Sequence, residues 1–354
     1  MLDVEIRGHL GLITLNRPAA LNALTHEMVI GIRDALRTWA GDDSIRVVAI
    51  RGAGDRAFCA GGDIVAMRAC VVDGDVAAAA GFFFDEYRLN SLIARYPKPY
   101  VALMDGIVLG GGVGVSAHGS HRVVTERTRI GMPETGIGFT PDVGGSWLLS
   151  RGPGELGTHL ALTGAMVGGA DAIAAGLADV MVGSDRLDEL LDALERCTEP
   201  DDVDAVLTSL AEPAGNAALA EHAAALDAAY AGDDAAVILD RMRASDNPFL
   251  QEAARGLAGR SPTSLAVTLA ALRRAARLAS LDDALAQEFR VVVRLLDEPD
   301  FAEGVRAQLV DKDRQPRWAP PTLDDVDPDR VASFFAPLTD AERARFDTPD
   351  WSPR

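Results

Sequence analysis

The chain has 354 residues, 48% apolar and 25% charged, a globular composition that excludes wholesale disorder and leaves room for about two domains. Thirty-four basic side chains against 53 acidic ones give a formal charge of −19, which argues against a nucleic-acid backbone as the main partner, so an anionic ligand must be met locally. Cys59, Cys70 and Cys197 are too few and too scattered for a disulfide framework and lack the paired spacing of a zinc site. No window approaches the roughly 18 apolar residues that span a bilayer, and a strand-like pattern begins within the first few residues, so a cytoplasmic protein without a membrane partner is expected.

Residues 11–16 (GLITLN) are an apolar run closed by Asn16-Arg17-Pro18, the pattern of a buried strand ending in a turn. A helix is expected from an N-cap at Thr25, with Met28, Ile32, Ala35, Leu36 and Trp39 at helical spacing. Residues 45–50 (IRVVAI) read as a second strand, 51–63 as a glycine-rich turn followed by a helix, and 99–104 (PYVALM) as a third strand. Residues 110–114 read as a loop feeding a helix, since glycine is costly inside one, and 122–125 as a short fourth strand. Strands alternating with helices predict an α/β core over 1–185 that carries the active site. Beyond it, alanine- and leucine-rich stretches predict a helical region over 186–336, in which 199–232 is the most loosely patterned part, a mobile connection or a small helical lid. Residues 337–354, acidic and proline-bearing, read as a loosely ordered tail.

Familiar motifs fail first. Lys98 and Lys312 are followed by Pro99 and Asp313, so no phosphate loop exists, and the glycines of 110–114 miss the dinucleotide spacing. His118 stands where a serine elbow around Ser116 needs glycine. His118 and His121 have the separation of a metal pair but no evident third ligand, and read better as surface or capping histidines; no metal is expected. Cys59 reads as a small buried thiol.

Three segments make chemical sense together. Residues 57–64 (AFCAGGDI) place two glycines before Asp63, and 105–112 (DGIVLGGG) deliver free amides to a helix start. Two backbone donors from separate loops are the ingredients of an oxyanion hole, worth about 3 kcal/mol in the transition state. Taken singly, each loop reads as tight packing more readily than as a functional loop. Residues 132–145 (MPETGIGFTPDVGG) place Glu134 and Asp142 in a loop rich in glycine and proline, a pair able to divide attack and proton transfer when burial separates their pKa values.

These segments, with 98–116 (KPYVALMDGIVLGGGVGVS), 82–90 (FFFDEYRLN), 161–164 (ALTG) and 300–318 (DFAEGVRAQLVDKDRQPRW), resemble the enoyl-CoA hydratase/isomerase, or crotonase, superfamily over roughly 4–335, and within it the 3-hydroxyisobutyryl-CoA hydrolase branch. The resemblance implies a crotonase-like spiral of ββα turns with a helical C-terminal region. It implies that the Gly62 and Gly111 amides bind the thioester oxygen of an acyl-CoA, that Glu134 is the catalytic glutamate and Asp142 the second acid of the hydrolase branch, and that Gly61, Asp63 and Gly110 line the substrate site. Gly114 stands where hydratases carry their second glutamate, which points away from hydration, and Thr140 replaces a bulkier apolar residue. Acyl-CoA and water are the implied partners, with no cofactor beyond the coenzyme A of the substrate, and a homo-oligomer, trimer or hexamer, is expected. Two rival readings are a hydratase or isomerase of unsaturated acyl-CoA and an acyl-CoA-binding protein without catalysis. For the coenzyme A diphosphate the basic candidates are Arg17, Arg51 and Arg56 near the motif loops and Lys312 from the helical half, the arginines reading more readily as surface residues than as its ligands.

Overall fold

The computed structural model describes residues 1–348 and 351. The chain divides into two units that interleave in sequence. One comprises Met1–Gly62, Arg88–Ile130 and Val167–Ala218; the other comprises Asp63–Tyr87, Gly131–Met166 and the chain from Leu219 onward. This division does not follow the expected break at 185.

The first unit is generated by repetition. A hairpin of β1 (Leu2–Arg7) and β2 (Leu10–Leu15) leads into the helix His26–Ala40, whose N-cap is Thr25, accepting from the Met28 N–H, and whose buried side is Met28, Val29, Ile32, Leu36 and Trp39. Then come strand pairs: β3 (Val47–Gly52) with β4 (Ala57–Cys59), β5 (Tyr100–Met104) with β6 (Ile107–Leu109), and β7 (His121–Val124) with β8 (Arg129–Gly131). The first strand of each pair joins a six-stranded sheet of order β1-β2-β3-β5-β7-β9, closed by β9 (Val180–Met181), and the second joins a three-stranded sheet of order β4-β6-β8. In chain order a helical turn follows each pair, Gly111–Gly114 in the first unit and Ile64–Val72 and Glu134–Ile137 in the second. This is a spiral of ββα turns, as the resemblance implied.

Only β1 runs antiparallel to its neighbour in the large sheet, and its edge position shows in the exposure of Asp3, Val4, Glu5 and Ile6. The central strands β2 and β5 are buried at every position, which is why they read in sequence as unbroken apolar runs. Leu12, Ala49, Val101 and Val123 from four parallel neighbours form a core closed by Leu190, Leu191, Leu194, Val203 and Leu207 of the helices Leu187–Leu194 and Asp201–Leu210. The loosely patterned 199–232 is therefore partly core, through Val203, Leu207 and Leu210.

The strands β4, β6 and β8, of three residues each, fall in stretches where the sequence reading placed turns or no element. Strands this short carry no period. Gly111, Gly112 and Gly114 also lie inside a helical turn rather than ahead of one, with Gly110 as its N-cap, and at Gly112 the Cys59 carbonyl leaves no room for a side chain.

The second unit is mostly helical, and its helix starts are written in the sequence: Asp234, Asn247, Ser261, Ser280 and Thr339 each cap a helix with their side chain. Within the stretch expected to be a loose tail, Asp340–Phe346 form a helix with a full capping box, and Arg294 ties Glu342 to the helix Leu281–Leu295 at 2.8 Å. Residues 349, 350 and 352–354 of that stretch lie outside the described residues. No helix among the described residues is long and apolar enough to cross a membrane.

Candidate active site

In the chain order of the spiral, the residues singled out above occupy equivalent places: Gly61-Gly62 follow β4, Gly110-Gly111 follow β6, and Glu134 follows β8. The first two places belong to the first unit and meet there. Gly61 has φ +106°, and a Cβ on it would stand 3.3 Å from the Leu109 carbonyl oxygen and 3.7 Å from the Gly111 nitrogen. A Cβ on Gly112 would come within 2.4 Å of the Cys59 carbonyl oxygen, so only glycine permits this approach of the two loops. Gly110 leads into the short helix with φ +49°. Among the described residues neither the Gly62 nor the Gly111 N–H has an acceptor, and Gly111 is buried. An unpaired N–H at a buried helix start is a donor that no protein group satisfies. The Cys59 thiol, buried beside them, donates to the Gly61 carbonyl at 3.6 Å and is structural.

The acids belong to the second unit. Glu134 opens the helical turn Glu134–Ile137, is 7% exposed, and its buried Oε2 has no partner. Burial holds its carboxyl well above the usual range, and the Asp142 charge adds to the effect. Asp142 is 4% exposed and pushed up to about 7 by burial, against the opposing hydrogen bond that Tyr87 donates to its Oδ2 at 2.6 Å. The Tyr87 ring is fixed among Phe83 and Phe289, and Phe83 in turn packs on Phe139, which packs on Phe301. Two poised acids on one loop are therefore a buried pair, the state in which carboxyls can hold or pass a proton near neutral pH.

Three participants were absent from the sequence reading. Tyr87 is one. Glu86, on the same helix, is 2% exposed with an unpartnered Oε1, and burial together with the Asp142 and Glu134 charges raises its carboxyl strongly. Both sit in the quoted stretch FFFDEYRLN, where acids between apolar positions on a helix were the available signal. Glu288 is the third, buried on the helix Leu281–Leu295 and joined to the Asp142 loop. Asp63, by contrast, caps the helix Ile64–Val72 through the Ala66 N–H. Thr140 resolves its polarity internally, its buried hydroxyl pairing with Thr268 at 2.9 Å. His121 pairs with Asp204 at 3.1 Å, and Arg17 with the Ala23 carbonyl at 2.6 Å.

A family model for enoyl-CoA hydratase/isomerase matches residues 10–335. A protein of Danio rerio named "3-hydroxyisobutyryl-CoA hydrolase, mitochondrial" is 41% identical over 342 residues, covering 95% of this chain and 89% of its own length. A crystal structure titled a carnitinyl-CoA dehydratase from Mycobacterium thermoresistibile superposes with TM-score 0.91 at 51% identity, covering 96% of this chain and 97% of that one. Another, titled an enoyl-CoA hydratase from Rhodobacter sphaeroides, does so with TM-score 0.89 at 44% identity, covering 95% and 97%. The repeated strand pairs, the paired glycine loops and the buried Glu134 thus occur in a chain that matches one family along almost its whole length: it belongs to the enoyl-CoA hydratase/isomerase family.

Proposed function

We propose that the protein is an acyl-CoA thioester hydrolase, acting on 3-hydroxyisobutyryl-CoA as its substrate class. The observation that carries the reading is the buried acid pair: Glu134 with a free carboxylate oxygen, and beside it Asp142 fixed by Tyr87. The named hydrolases at about 40% identity support it. In this reading the Gly62 and Gly111 amides take up the negative charge that grows on the thioester oxygen. Glu134, as carboxylate, either attacks the carbonyl carbon to form a mixed anhydride or takes a proton from the water that attacks. The C–S bond breaks and coenzyme A leaves as the thiol; in direct attack the water oxygen ends on the acid product, whereas in the covalent route a water then hydrolyses the anhydride and its oxygen ends on either the released acid or Glu134. Asp142 orients that water or the substrate hydroxyl and returns the proton. The reaction needs only thioester and water. Gly61 and Gly110 keep the loops slim enough for the substrate, and a homo-oligomer, trimer or hexamer, belongs to the same reading, to be checked by light scattering.

Hydration or dehydration of an acyl-CoA is the second reading, favoured by the titles of the two solved relatives. Against it stands Gly114, which puts no carboxyl at the place implied for a second glutamate. The test is thiol release from 3-hydroxyisobutyryl-CoA beside the loss of conjugated absorbance from crotonyl-CoA. Thiol release that Glu134→Gln abolishes supports the hydrolase; robust hydration without thiol release overturns it. Acyl-CoA binding with neither reaction, unchanged in Glu134→Gln, identifies a binding protein.

A further inference from the structure

The turn that carries Asp142 is built against backbone preference. Val143 has φ +51° and Gly144 φ +80°, so a β-branched residue occupies the left-handed region. Such a conformation lasts only where the surroundings hold it. Gly145 N–H closes the turn on the Asp142 carbonyl at 2.6 Å. The outside grip comes from Glu288, in the middle of the helix Leu281–Leu295 and 1% exposed. Its Oε2 accepts the Gly144 N–H at 2.7 Å; its Oε1 accepts the Ser146 N–H at 2.9 Å and the Ser146 hydroxyl at 2.5 Å. These N–H groups lie at the start of the helix Gly145–Leu149, where no intrahelical acceptor exists, so a carboxylate from another helix does the work of an N-cap.

We propose that Glu288 is a positioning residue, clamping Gly144 and Ser146 so that the turn presents the Asp142 carboxylate to the Tyr87 hydroxyl. This rests on the reading that Asp142 serves thioester cleavage. Burial is costly for such a clamp: the Glu288 carboxyl is pushed up to about 8 by burial, with the Asp142 charge adding and the Ser146 and Gly144 hydrogen bonds opposing. The titratable groups acting around Asp142 are Tyr87, Glu86, Glu134 and Glu288.

The test uses the full chain with Glu288→Gln and the milder Ser146→Ala, and follows the Asp142 carboxyl by carbon-13 NMR, its signal assigned by its loss in Asp142→Asn. Releasing the turn withdraws the Tyr87 hydrogen bond that favours the carboxylate, so the Asp142 midpoint moves up, by about half a unit or more in Glu288→Gln and less in Ser146→Ala. Simple removal of a neighbouring acid moves it down. An unmoved or lowered midpoint overturns the proposal. In the thiol-release assay Glu288→Gln lowers kcat about tenfold with KM within about twofold, and adds no further loss to Asp142→Asn; independent, additive losses overturn it. A wild-type protein that releases no thiol sinks the hydrolase reading, while the titration still decides the role of Glu288. If Glu288→Gln fails to fold, Ser146→Ala carries the same titration.

Discussion

The first unit offers main-chain N–H groups, the second carboxylates, and the two demand opposite things of a fold. The amides of Gly62 and Gly111 are neutral, and their presentation requires glycine so that two loops can approach closely, as at Gly112 against Cys59. The acids need no special backbone except at Val143 and Gly144, but they must be taken out of water, which raises Glu86, Glu134, Asp142 and Glu288 together. A donor set made of backbone is therefore sensitive to added volume, and an acid set is sensitive to charge and pH.

The sharpest cut through this contrast is Glu134→Gln, which keeps shape and removes the charge. Turnover falls at least about a hundredfold while acyl-CoA binding persists, measured by thiol release and calorimetry. On the amide side the matching change is Gly112→Ala, which forces the Cys59 carbonyl away from its place. A loss of about thirtyfold in kcat is expected, with a lower melting temperature and no change in the pH profile. Equal loss with an altered pH profile breaks the separation of roles.

Asp142→Asn tests the acid side through pH. Activity should rise as pH increases through about 7, where Asp142 loses its proton, and the variant should lose about tenfold in kcat and keep only the acid limb set by Glu134. Stability runs the other way. A carboxyl whose folded pKa is raised contributes stability at low pH that is lost as pH climbs from about 4 to about 7. Asp142→Asn should therefore melt higher than wild type at pH 8 and no higher at pH 4.

The smallest effect is expected at His159, buried in the second unit against Tyr230 and Phe249 and held down at about 4 by burial, with His222 adding. Its folded pKa lies below the unfolded value, so stability is lost as pH falls from about 6.5 towards 4, by about 1 kcal/mol at pH 5.5. His159→Phe should remove that acid sensitivity in urea denaturation and leave turnover unchanged.

Residues 11–16, 45–50 and 99–104 were legible as strands because buried parallel strands are unbroken apolar runs, and Thr25 announced its helix by chemistry local to one turn. The glycine loops were legible for a related reason: a requirement for the absence of a side chain is visible in the letter G. The strands β4, β6 and β8 were not, being too short to show a period. Glu86, Tyr87 and Glu288 were not read as chemical because a buried acid and a solvated one are the same letter. Local propensity and the motif order thus decided the strands of the large sheet, the helix caps and the glycine turns. Tertiary structure alone decided which carboxylates lose their water and which remote helix grips the Asp142 turn, because desolvation and hydrogen bonding across 144 positions of chain are properties of packing, not of neighbouring residues.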